Sequence, residues 1–82
     1  GGTMVVAEEM RQVTDMVASA QDYLDNNGGG EMQIKVDDNG MVTVEVRANN
    51  RDIDGNNYYR QRLQIGGVGA AFLEAQIGSF SS

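Results

Sequence analysis

The chain has no cysteine, no histidine, no proline and no tryptophan. Without cysteine it has no disulfide, no thiolate metal site and no thiol nucleophile, and the redox compartment is left undetermined. Without histidine the commonest general base and metal ligand is missing. The serines are Ser19, Ser79, Ser81 and Ser82, and a serine–lysine pair would have to use the only lysine, Lys35. The plentiful carboxylates form no recognisable acid–base pair, so the sequence reads as a non-enzyme. No run approaches the ~18 apolar residues of a membrane span, and none reads as a signal peptide.

Positive charge is also scarce. Six Lys and Arg against twelve Asp and Glu leave a net charge of −6. Five of the acids lie in residues 1–27, against Arg11 alone. That balance argues against a nucleic-acid partner, whose phosphates need a basic surface, and against anionic membranes. A length of 82 residues makes one domain over 1–82. Its core is modest, since a domain of this size buries only roughly 60–65% of its unfolded surface. Gly1-Gly2-Thr3 lacks an initiator Met and reads as a cloning scar or processed start, with Thr3 a potential helix N-cap. On that reading the chain is the soluble part of something longer.

What is present begins with one sustained period. Val6, Met10, Val13, Val17, Ala20 and Leu24 follow one another in steps of three and four, the spacing of one helix face. Met16 and Tyr23 widen the stripe, and most of the charge lies off it. The helix is expected to end at Asn26-Asn27-Gly28-Gly29-Gly30, where Asn and Gly accept a left-handed backbone. Asp22 and Asp25 sit in its last turns, where the macrodipole disfavours anions.

From Glu31 the period becomes two. Met32, Ile34 and Val36 alternate with polar residues, as do Val42, Val44, Val46 and Ala48. This predicts a β-hairpin. A three-residue loop, Asp38-Asn39-Gly40, pairs Val36 with Val42, Ile34 with Val44 and Met32 with Val46, and makes one face wholly apolar. A left-handed Gly40 in a G1 bulge is therefore expected. Residues 49–57 read as a polar loop, and Tyr58 to Ile65 as a third strand with Gln61 interrupting its apolar face, a short helix being the rival reading. Leu73, Ala75 and Ile77 alternate with Glu74 and Gln76 and read as a fourth strand, although Phe72, Gln76 and Phe80 would align on a helix. Residues 79–82 read as a frayed tail. The sum is an α+β fold, an N-terminal amphipathic helix packed on one face of a four-stranded antiparallel β-meander. The other face, wet, carries Lys35, Thr43, Glu45, Arg47, Tyr58, Arg60 and Arg62.

Three stretches invite a functional reading. Gly66-Gly67-Val68-Gly69 lacks the frame of a phosphate loop and reads as a turn between strands. Asn50, Asp52 and Asp54, followed by Gly55, match the first positions of a calcium loop, but position 12 would be Gln61 and no helix flanks it. An Asx-rich turn is the competing reading, and no cofactor is otherwise implied. Arg47, Arg60 and Arg62 beside Tyr58 form either a small basic-aromatic patch for carboxylates or phosphates or an ordinary polar face that offsets the acidic helix. Val5, Val6 and Met10 precede the part of the helix that a sheet easily covers, and are expected to protrude toward a partner.

The segment Asp15-Met16-Val17-Ala18-Ser19-Ala20-Gln21-Asp22-Tyr23-Leu24-Asp25-Asn26-Asn27-Gly28, followed by the strand Val42-Thr43-Val44-Glu45-Val46, resembles the helix-to-loop region and first strands of type IV pilin-like subunits. That class includes pseudopilins and tight-adherence minor pilins. The resemblance implies a structural or assembly subunit acting by protein–protein contact with copies of itself or related subunits, in an extracytoplasmic or cell-surface setting. It also implies that the membrane is met only through a hydrophobic N-terminal segment not in this chain. The Pro and the Cys pair common in that class are absent. The alternative is a small acidic protein-binding module, such as an inhibitor, adaptor or propeptide, using a β-edge or the Tyr58, Arg60 and Arg62 face.

Overall fold

A computed structural model describes the backbone of residues 2–81 and the side chains of residues 5–77. Its elements are α1 (Gly2–Asn26), β1 (Gly30–Val36), β2 (Met41–Ala48), β3 (Tyr58–Gln64) and α2 (Gly67–Ser81). The three strands form one antiparallel sheet in the order β1-β2-β3. The first hairpin has the expected register, with Val36 opposite Val42, Ile34 opposite Val44 and Met32 opposite Val46. Gly40 has a φ of +82°. The Asp37 carboxylate accepts the Asn39 and Met41 amides, both at 2.9 Å, and fixes the turn.

The core lies between α1 and the inner face of the sheet. Val42 and Val44 are fully enclosed at its centre. Val13, Met16, Ala20 and Leu24 cover them from α1, and Ala70 and Leu73 complete the cluster from α2. At the inner face of β3, Gln61 interrupts the apolar row and stays exposed.

The end of α1 solves its own capping problem. The Gly29 amide donates to the Leu24 carbonyl at 2.7 Å across Gly28, whose φ is +86°. This is a Schellman closure, with glycine in the left-handed position. The Asn27 side-chain amide donates to the Tyr23 carbonyl at 2.7 Å, satisfying another terminal oxygen. No basic residue stands in the last turn to offset Asp22 and Asp25.

The fourth strand expected at Leu73, Ala75 and Ile77 is instead the second helix, so the meander has three strands. Ala70, Leu73 and Ile77 fall in steps of three and four and face the core, whereas Ala75 is exposed. The helical period wins because α2 can lay that stripe against both α1 and β1. Phe72 and Gln76, the other expected helical alignment, point outward. The turn expected at 66–69 is likewise corrected, since α2 begins at Gly67.

α2 has no acidic residue in its first turn. Its N-terminus is served from α1, where the Glu9 carboxylate accepts the Gly66 amide at 2.8 Å. An anion there is favourable, because unpaired amides and the helix dipole converge at that end. Thr3 lies inside α1 rather than at its cap position, and its side chain is outside the described residues. So are Gly1 of the expected start and Ser82 of the expected frayed tail, while residues 79–81 continue α2.

Candidate interaction surface

The open face of the sheet collects most of the positive charge. Lys35, Arg47, Arg60 and Arg62 stand on it, four of the chain's six basic residues. The register places Arg47 opposite Tyr58, Glu45 opposite Arg60 and Thr43 opposite Arg62. Tyr58 donates a hydrogen bond to the Glu45 carboxylate, and Lys35 approaches its other oxygen at 2.8 Å. The hydrogen bonds from Lys35 and then Tyr58 hold the Glu45 carboxyl below its ordinary pKa. Its bond to Glu45 in turn raises the Tyr58 hydroxyl, with partial desolvation adding to the shift. Arg47 lies over the Tyr58 ring, 5.3 Å from its centroid, in a cation–π arrangement. This half of the face is therefore internally paired. Arg60 and Arg62 are exposed and enter no salt bridge among the described residues.

The stretch holding Asn50, Asp52 and Asp54 forms a turn. Asp52 Oδ1 accepts the amides of Asp54 and Asn56, both at 2.9 Å. The other oxygen of Asp52 accepts the Tyr23 hydroxyl at 2.7 Å. That hydroxyl bond is the largest cause lowering the Asp52 pKa, followed by the Asn56 amide. Desolvation first, and Asp52 second, raise the Tyr23 hydroxyl. Asp52 is thus committed to donors of the protein itself, the geometry of an Asx turn. No group of three carboxylate, thiol or imidazole side chains is brought together among the described residues. Asn50 belongs to a different contact, its amide donating to the Asn27 carbonyl at 2.9 Å.

The two Asn/Gly-rich links, which read as loose segments, are tied to one another. The Asn49 amide donates to Gly29, and its side chain donates to the Gly28 carbonyl at 2.9 Å. Tyr23 stacks on Tyr59 with ring centroids 5.3 Å apart and then reaches Asp52 with its hydroxyl. These residues are distant in sequence and become neighbours only when α1 lies on the sheet. The one local sign was the aromatic at position 23 on the edge of the helical stripe.

At the opposite end, α1 outruns the sheet. Its 25 residues extend about 37 Å at ~1.5 Å per residue. Strands of seven or eight residues extend only about 23–27 Å at ~3.3 Å per residue. The C-terminus of α1 is anchored near Gly30, so the excess of roughly two helical turns lies at the N-terminal end. Val5 there is 56% exposed and Val6 is half-buried. Met10 packs against the core, so Val5, and Val6 in part, are the expected contact residues that stay available. Val68 and Phe72, four residues apart on the outward face of α2, are 75% and 52% exposed. No helix of the described residues is long and apolar enough to cross a membrane.

No protein-family model, curated protein or solved structure matches this chain.

Proposed function

We propose that the protein is a non-enzymatic structural subunit of pilin-like type, working at the cell envelope by protein–protein contact with copies of itself or related subunits. The observation that carries this reading is the exposed apolar side chain of Val5 at the overhanging end of α1, one turn before Glu9, which holds the start of α2, where Val68 and Phe72 are also exposed. Exposed apolar side chains grouped at one end of a small domain are characteristic of contact surfaces. The groups with shifted pKa values support the reading from another side. Glu45, Asp52 and Tyr58 owe their shifts first to hydrogen bonds that join separate elements, Tyr23 to desolvation and then to Asp52, and Glu8 to Arg11 on its own helix. None is left poised for proton transfer.

Sedimentation of the chain from micromolar to millimolar concentration tests the proposal. Reversible association is expected, abolished by the double substitution Val5→Asp and Phe72→Asp with an unchanged circular dichroism spectrum. A chain that stays monomeric throughout, in a full-length protein with no hydrophobic segment before α1, would end the pilin-like reading.

A further inference from the structure

We infer that the free edge of β3 is a strand-addition site for an extended peptide that alternates acidic and apolar residues. β3 is a terminal strand of the sheet. The Asn57 carbonyl accepts the Ala48 amide at 2.7 Å, and the Ile65 amide donates to Gly40 at 2.9 Å. Odd-numbered positions of β3 therefore turn their backbone groups toward β2. The alternation of an antiparallel ladder then turns the amides and carbonyls of Tyr58, Arg60, Arg62 and Gln64 outward. This is a row of hydrogen-bonding groups with no proline and no bulge to blunt it.

The side chains flanking that row define the partner. A residue added opposite Arg60 or Arg62 places its side chain on the same sheet face as those arginines. Both are exposed and neither is within ion-pair distance of an acid among the described residues, Arg60 sharing only the field of Glu45, which Lys35 and Tyr58 already hold. Carboxylates fit there, and Arg offers them two parallel donors. Residues opposite Gln61 and Leu63 point to the other face. They meet a groove between β3 and α1 whose apolar lining is Met16 and Leu63, with Gln12, Ser19, Gln61 and Arg62 around them. Asp15 also borders that groove and is already paired with Arg11 at 2.7 Å. The preference for acids is thus set by Arg60 and Arg62, while Met16 and Leu63 give a small apolar residue on the groove side a surface to rest on. The pattern required is acid outside, apolar inside, with the period of a strand.

This site does not depend on the assembly reading, which rests on Val5, Val68 and Phe72 of the two helices. The test is amide chemical-shift titration of the whole chain with a capped seven-residue peptide alternating Glu and Val, against the same peptide with Lys for Glu. Saturable shifts are expected for Tyr58, Arg60, Arg62 and Gln64 with the Glu peptide only. In the variant Arg60→Glu with Arg62→Glu the preference should reverse, with the Glu peptide weakened by about tenfold or more. Both substitutions are on exposed positions, and an unchanged amide spectrum elsewhere verifies the fold. Absence of saturable binding, equal binding of both peptides, or shifts centred on β1 or α2 would overturn the assignment.

Discussion

Replacing Gly40 by alanine tests the hairpin at its narrowest point. The φ of +82° is a region that L residues enter at a cost of about 1–2 kcal/mol. The added Cβ would lie 2.3 Å from the Ile65 carbonyl oxygen and 3.1 Å from Gln64 Nε2. The nearer atom is backbone and cannot swing aside. Ile65 also donates its amide to the Gly40 carbonyl at 2.9 Å. Relieving the clash stretches that bond, which is worth about 1 kcal/mol. The sum is about 2–4 kcal/mol, against a total stability of about 4–12 kcal/mol for a domain of this length. The melting temperature should fall by about 10–20 °C. Urea unfolding followed by circular dichroism reads the change, with Gly55→Ala as control. Gly55 has a φ of +84° but nothing within 4 Å of its added Cβ, so it isolates the backbone term. Gly40→Ala should lose about 1–3 kcal/mol more than the control, at an equal m-value. Equal losses in the two variants would refute the packing argument.

Val44→Ala removes a side chain that is fully enclosed between α1 and the sheet, and should cost about 2 kcal/mol in the same assay. Glu9→Ala should cost about 1 kcal/mol by stripping the anion from the start of α2, and hydrogen exchange should quicken in α2 before it does in the strands. Acidification should destabilise the protein. Asp52 and Glu45 have folded pKa values below their ordinary ones, so their contribution is complete above the ordinary carboxylate range and is lost as pH falls through the lowered values. The urea midpoint should hold between about pH 6 and 8 and decline below about pH 5, less steeply in Asp52→Asn. A midpoint that rises on acidification would contradict the assignment of both carboxylates.

The hairpin was legible because its constraints agree. Seven apolar residues at a period of two admit one register that keeps them on one face, and Gly40 allows the turn that this register needs. The first helix was legible for the same reason. The second was not, because α2 is apolar on nearly every side: Ala71, Phe72 and Ala75 outside, Ala70, Leu73 and Ile77 inside. With no polar face, Leu73, Ala75 and Ile77 satisfy a strand as well as Ala70, Leu73 and Ile77 satisfy a helix. The glycines at 66–69 also mimic a breaker, and the acid that steadies the helix start comes from Glu9, far away in the chain. Of the interaction surface, the exposed basic residues could be named from alternation alone. Their division into a paired half and an unpaired half could not, since it depends on how β3 registers against β2 and on Lys35 reaching across to Glu45.

The bond from Gly66 to Glu9 joins positions 57 apart, whereas each strand neighbours the next in sequence. Closing so wide a span costs chain entropy that neighbouring strands avoid, and contacts of that kind arrive late on the way to the native state. On that ground α2 is expected to dock after the sheet has formed and to exchange its amides sooner than the strands do. An opening of α2 would take Ile77 away from Ile34 and Val36, and would leave the apolar side of β1 uncovered next to a sheet that is still paired.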